Sequence, residues 1–164
     1  MADVRVVQKF ELDRVLLDWM LTPAGNLDDT YQLETAVIVS LCTDRRAEED
    51  DTLPDSRDEN RRGWWGDIDT DTIWGGGPIG SRLWLLARAK ITGAASAEGA
   101  TVTRAEDYIA EALQWLIDLK VASRIDVEAV RSGQTAISAL VTIYRGPKPA
   151  VSLRFEQFWD VYAG

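Results

Sequence analysis

Histidine is absent from this chain, and cysteine occurs once, at Cys42. Without an imidazole there is no Ser-His-Asp triad, no Cys-His pair and no histidine metal site. A lone cysteine makes no intrachain disulfide and no cysteine-rich zinc site, and a reducing compartment is the natural one for folding. No apolar run approaches the roughly 20 residues of a membrane span. The start, Met1-Ala2-Asp3-Val4-Arg5, is too polar for a signal peptide. Bases are the scarcer charge, with 18 lysines and arginines against 27 acids and a net charge of −9. That balance lacks the footprint of a general DNA or RNA binder and opposes anionic lipid. The expectation is therefore no cofactor, no metal, no nucleic-acid partner and no membrane insertion.

What is present fits one domain spanning residues 1–164. Apolar residues make up 46% and charged residues 27%, ordinary for a globular protein. A chain of this length buries roughly 70% of its unfolded surface and needs no staple. Tryptophan is the oddity, with seven copies at 19, 64, 65, 74, 84, 115 and 159. Trp supplies large rigid contact area both in cores and at interface hot spots.

Residues 3–21 read as extended, and Thr22-Pro23-Ala24-Gly25-Asn26 is turn chemistry. Residues 31–42 suit either a helix, on the spacing of Leu33, Ala36, Val37, Ser40 and Leu41, or a strand, on the run Val37-Ile38-Val39. Asp29 followed by Gln32 is a plausible N-cap and decides for helix. Residues 44–62 then hold eight acids, five arginines and almost nothing apolar, a long polar loop expected to be mobile in isolation. Residues 63–80 form a glycine- and tryptophan-rich loop. A second helix is expected from Ser81 to about Ile91. A third is expected over 104–118, with Thr103 and Glu106 as a capping box and Ala105, Tyr108, Ile109, Ala112, Leu113 and Leu116 on one face. The C-terminal third alternates as a β-meander, with turns at Ser132-Gly133 and Gly146-Pro147-Lys148-Pro149. The expected fold is α+β: a small antiparallel or mixed sheet with about three helices packed on it.

Several motifs fail for want of context. Gly75-Gly76-Gly77-Pro78-Ile79-Gly80 matches G-x-G-x-x-G, but no βαβ unit surrounds it, and Ser81 stands where a phosphate loop needs lysine. Asp67-Ile68-Asp69-Thr70-Asp71 opens like a calcium loop, yet Thr72 and Pro78 replace its glycine and chelating glutamate. An adventitious cation there stays open. Cys42 reads as small-residue filling at the end of an apolar segment. A glycosidase built on two carboxylates needs a facing pair, and Glu34, on a mostly apolar helix, is the one candidate worth naming.

A set of ordered pieces carries a resemblance. They are Leu33-Glu34-Thr35-Ala36-Val37, Leu41-Cys42-Thr43-Asp44-Arg45-Arg46-Ala47, Arg61-Arg62-Gly63-Trp64-Trp65-Gly66-Asp67, Gly80-Ser81-Arg82-Leu83-Trp84-Leu85 and Ala110-Glu111-Ala112-Leu113-Gln114-Trp115-Leu116. Over about residues 15–130 the chain resembles the Mu-type phage baseplate protein family, the gene-product-forty-six type. That family looks related to the small wedge protein and sheath initiator of contractile tails, the gene-product-twenty-five type. The resemblance implies several copies per ring in a virion tail baseplate, assembled in the host bacterial cytoplasm. The implied partners are other wedge and tube-collar proteins and the tail sheath protein. The wider superfamily shows a Glu-Pro-Arg triplet before a strand at its partner interface. Here the place reads Ala122-Ser123-Arg124-Ile125, so only Arg124 carries over.

The residues themselves also read as a structural part and not an enzyme. Trp64 and Trp65, flanked by Arg61, Arg62 and Asp67, have the makeup of an interface anchor; the competing reading buries both under the 44–62 loop. The expected partner-binding set is Arg45, Arg46, Arg61, Arg62, Trp64, Trp65, Asp67, Trp74, Arg82 and Arg124. Phe155 and Trp159 join it on a terminal strand, about 150–159, whose edge a sheath segment would extend by β-augmentation. The alternatives are a peptidoglycan-degrading glycosidase and a free-standing regulatory binding module.

Overall fold

A computed structural model describes residues 5–11, 14–28, 31–55, 57–68, 70, 76–87, 101–132 and 136–155. Strands β1 (Val6–Glu11) and β2 (Arg14–Trp19) pair as an antiparallel hairpin. Helix α1 spans Gln32–Cys42 and helix α2 Thr101–Asp118. Strands β3 (Arg124–Ser132), β4 (Ala136–Arg145) and β5 (Lys148–Phe155) form an antiparallel sheet in the order β3-β4-β5.

The meander is the one its alternation predicts. Ile137, Ala139, Val141 and Ile143 of β4 are buried, while Ser138, Leu140, Thr142 and Tyr144 between them are half-exposed. Opposite them stand Ala129 on β3 and Phe155 on β5, both buried and both paired with Ala139. Gly146, at φ 80, turns the chain between β4 and β5, a positive φ that costs glycine nothing.

α2 lays Val102, Ala105, Ile109, Ala112, Leu113 and Leu116 on the buried face of the sheet, and α1 adds Val37, Ile38 and Leu41. Each large side chain contributes roughly 1.5–3 kcal/mol of burial. Thr103 lies inside α2, so it is not the N-cap of a helix that already includes Thr101. Glu106 does different work: its Oε1 accepts the Ala129 N–H at 2.8 Å. That satisfies a donor on β3, an edge strand that would otherwise leave it open. Asp29 lies outside the described residues; α1 begins after Tyr31, which makes no side-chain cap.

The helix expected over 81–91 is instead a four-residue 3₁₀ turn, Leu83–Leu86, and residues 88–100 lie outside the described residues. All four of its side chains are buried. Leu83 and Leu86 enter the main core, while Trp84 and Leu85 enter a second cluster with Ala47 and half-buried Leu53. Without a polar face the segment works as a wedge between two clusters, not as an amphipathic helix. The described residues thus carry two α-helices, not three.

The 44–62 loop, expected to be loose, is folded onto the body. Ser81 N–H donates to Thr43 O and Arg45 N–H to Ser81 O, at 2.9 and 3.0 Å, and Ser81 Oγ donates to Leu41 O at 2.8 Å. Gly80 makes that approach possible. Its φ is 112, and a Cβ there would lie 2.5 Å from Thr43 O. Ala47 N–H then donates to Arg61 O at 2.9 Å, which brings the two arms of the loop together.

Candidate interaction surface

Two backbone positions in the left-handed region, Arg62 at φ 52 and Gly63 at φ 107, turn the chain into the Trp64-Trp65 pair. A 3₁₀ turn follows, Trp65–Asp67. Gly66 has no Cβ because the Trp64 ring occupies that space; a Cβ would sit 2.2 Å from it. The Trp64 ring therefore lies over the turn and leaves Trp65 standing out, with ring centroids 5.3 Å apart and planes inclined at 49°. Trp65 is 79% exposed and Trp64 38%. Asp67 Oδ1 accepts the Ile79 N–H at 2.9 Å, which ties the far end of the glycine loop back to this turn. Ile68, 72% exposed, and Ile79 extend the apolar surface. Large exposed apolar groups on a fixed backbone mark contact surfaces more often than lone exposed side chains do.

The tryptophan that the 44–62 loop covers is Trp84, 2% exposed. Its Nε1 donates to Arg45 O at 2.8 Å, and the Arg62 guanidinium sits 4.6 Å from its ring centroid. Arg62 also pairs with Asp44 at 2.8 Å.

Behind this surface lies an ion-pair network. Arg82 reaches Glu111 and Asp51, both at 2.9 Å, and Arg45 reaches the other oxygen of Glu111 at 3.0 Å. Desolvation alone would lower the pKa of Arg82, but the hydrogen bonds it donates to the Glu111 and Asp51 carboxylates outweigh that and raise the value. Arg61 donates to the carbonyls of Glu48 and Glu49. Arg45 and Arg82 therefore fasten the loop to α2, while Arg61 ties one arm of the loop to the other. Such charge-assisted bonds are stronger than neutral ones.

Of the expected contact residues, Arg46, Arg62, Trp64, Trp65 and Arg124 are exposed and Asp67 is half-buried. Arg124 stacks 3.9 Å from the Tyr144 ring centroid and pairs with Asp126 at 3.1 Å. Phe155, 3% exposed, belongs to the core because its place on β5 faces inward, so it does not serve as a surface contact. Trp74 and Trp159 lie outside the described residues. Ile68 and Ile79 are surface residues that sequence reasoning missed; only the tie from Asp67 to Ile79 places them beside the tryptophans.

Glu34 is half-buried on α1. Among the described residues no group of three or more His, Cys, Asp or Glu is placed to hold a metal ion. No helix among them is long and apolar enough to cross a membrane. Burial, and then nearby Asp44, pushes the Cys42 thiol up to about 11, far from the lowered values of reactive cysteines.

The comparisons with known proteins agree with the ordered pieces. The chain is 50% identical over 102 residues to a protein named baseplate protein gp46 of Escherichia phage Mu, covering 62% of this chain and 60% of that protein. It is 39% identical over 103 residues to the Mu-like prophage FluMu protein gp46 of Haemophilus influenzae, covering 63% and 59%. The match thus spans about three fifths of the length of each relative. A family described as phage protein GP46 matches residues 33–149, from α1 through the charged loop and the tryptophan turn to the start of β5, and the chain belongs to that family.

Proposed function

We infer that this chain is a structural component of a contractile-tail baseplate and that it catalyses no reaction. Membership of the GP46 family, with a relative named a baseplate protein, gives the setting. The observation that carries the role is the Trp65–Ile68 turn, held by Gly63, Gly66 and Asp67 with its two largest apolar groups in solvent. A hot spot needs rigid aromatic area that loses little entropy on binding, and this turn supplies it. Neighbouring wedge and tube-collar subunits dock there, with Arg46, Arg62 and Arg124 at the rim. Several copies surround the tail axis, the relation to the gene-product-twenty-five type extends to sheath initiation, and the chain works as one domain assembled in the host cytoplasm. β5 is an edge strand of its sheet, and a sheath segment adds to it as a further strand.

Replacing Trp65 with Ala tests the reading. The side chain packs on nothing in the core, so the folded chain keeps its thermal midpoint. Its copurification with neighbouring baseplate subunits falls at least about tenfold, the least expected of a hot-spot aromatic, and complete tails fail to form. Normal tails from a particle carrying Trp65→Ala would overturn the assignment of this surface.

A further inference from the structure

Among the described residues, two clusters of charges without ion-pair partners, of opposite sign, stand out. The basic one lies where α2 ends. Val121 N–H donates to Leu116 O at 2.8 Å and Lys120 N–H to Ile117 O at 2.9 Å, the two bonds of a Schellman ending. The residue in its left-handed position is Lys120, at φ 58, where glycine is the usual occupant because a Cβ is strained. A lysine one turn earlier would favour the helix dipole equally well without that strain. Lys120 and Arg145 line one shallow cleft with Ser123 and Gly146. Arg145 is held by its Nε bond to Val121 O at 3.0 Å and stands directly across the turn from Lys148. Of the neighbouring acids, Asp126 pairs with Arg124, while Asp118 accepts a hydrogen bond from Gln114 and keeps its charge at the edge of the patch. Lys120 and Lys148 have no ion-pair partner among the described residues.

The acidic patch is the tip of the 44–62 loop. Its arginines and Arg82 engage Asp44, Glu48, Asp51 and Asp55. Glu49, Asp50, Asp58 and Glu59 are left over, all exposed and none in an ion pair among the described residues. The Ala47–Arg61 bond and the grip of Arg61 on two carbonyls hold the arms carrying these acids side by side.

We propose that the two patches are the halves of one contact between copies of this chain, the acidic tip of one seated on the Lys120–Lys148 end of the next. The complement of each patch is present in the chain itself. A contact between two different patches repeats from copy to copy, and it closes into a ring if the rotation allows or runs on as a filament if it does not. Lysine is kept at the strained position because its ammonium is needed at the rim of the cleft.

Sedimentation of the full chain tests this. At about 50 mM salt the chain associates with rising concentration, and at about 500 mM the association is lost to screening. Lys120→Glu with Lys148→Glu, and separately Glu49→Lys with Glu59→Lys, each weaken it at least about tenfold, the loss expected of repelling charges across a contact. Mixing the two reversed variants restores mixed oligomers. Lys120→Gly separates charge from folding: its melting temperature rises while its association falls. A wild-type chain that stays monomeric at every concentration in low salt overturns the proposal, as does association that ignores both reversals. None of these substitutions touches Trp65, so failure here leaves the docking surface standing.

Discussion

Single residues decide which of three similar tryptophans meets solvent. Trp64, Trp65 and Trp84 all follow a polar or glycine-rich stretch in the sequence. Trp84 is buried because its Nε1 finds Arg45 O and its ring finds Arg62, so its polar handle is satisfied where it lies. Trp65 is displaced outward because Gly66 gives its neighbour's ring the inner place. Cys42 shows the same dependence on surroundings. Its thiol is raised to about 11, so the neutral form is favoured in the folded chain. That stabilisation is complete below the ordinary thiol pKa and is lost as pH climbs from there towards 11. Iodoacetamide should modify Cys42 in the native chain at about pH 8 at least about tenfold more slowly than in the unfolded chain. The fall in unfolding free energy between about pH 9 and 11 should shrink in Cys42→Ala; an equally steep fall in the variant would contradict the assignment.

At the scale of elements, the amphipathic helix and the meander were legible because each carries its own period. A spacing of 3 and 4 places Ala105 through Leu116 on one side of α2, and alternation places Ile137 through Ile143 on one side of β4. The Leu83–Leu86 turn and the 44–62 loop were not legible. Their form depends on partners distant in the chain, and nothing in their own spacing encodes Glu111. Glu111 joins Arg45 and Arg82, whose side chains are about one-fifth exposed. Removing its charge leaves two guanidinium groups partly buried with fewer partners, a loss of roughly 2 kcal/mol. Glu111→Gln should lower denaturant stability by about that amount and open the 44–62 loop to limited proteolysis. A loop that stays protease-resistant would mean that the backbone pairing at Ser81 suffices alone.

For the whole molecule, the arrangement separates a fixed core from the surfaces proposed as contacts. The charged loop, the Trp65 turn and the β5 edge are carried on one framework of α1, α2 and the three-stranded sheet. This gives the sheath reading a direct test. Ser152 is exposed on β5 and Cys42 is a poor nucleophile, so Ser152→Cys provides one reactive thiol. In assembled tails it should cross-link to the sheath subunit, and in tails lacking sheath it should not. Cross-linking only to baseplate neighbours would place another subunit on that edge.

The amino-acid sequence alone determined the class of chemistry and the local periods. With no histidine and one cysteine the chain has no residues for a Ser-His-Asp triad or for a histidine or cysteine-rich metal site, and its acidic balance lacks the footprint of a general nucleic-acid binder. The ordered motifs likewise pointed to the family that the comparisons then showed. Tertiary structure alone decided which arginines fasten the loop and which face solvent, which tryptophan is core, and that Phe155 packs inward. The physical reason is common to all of these. Periodicity is a property of neighbouring residues and is written along the chain, whereas burial and ion pairing are properties of residues brought together by folding, as Arg82 is to Asp51 and Glu111.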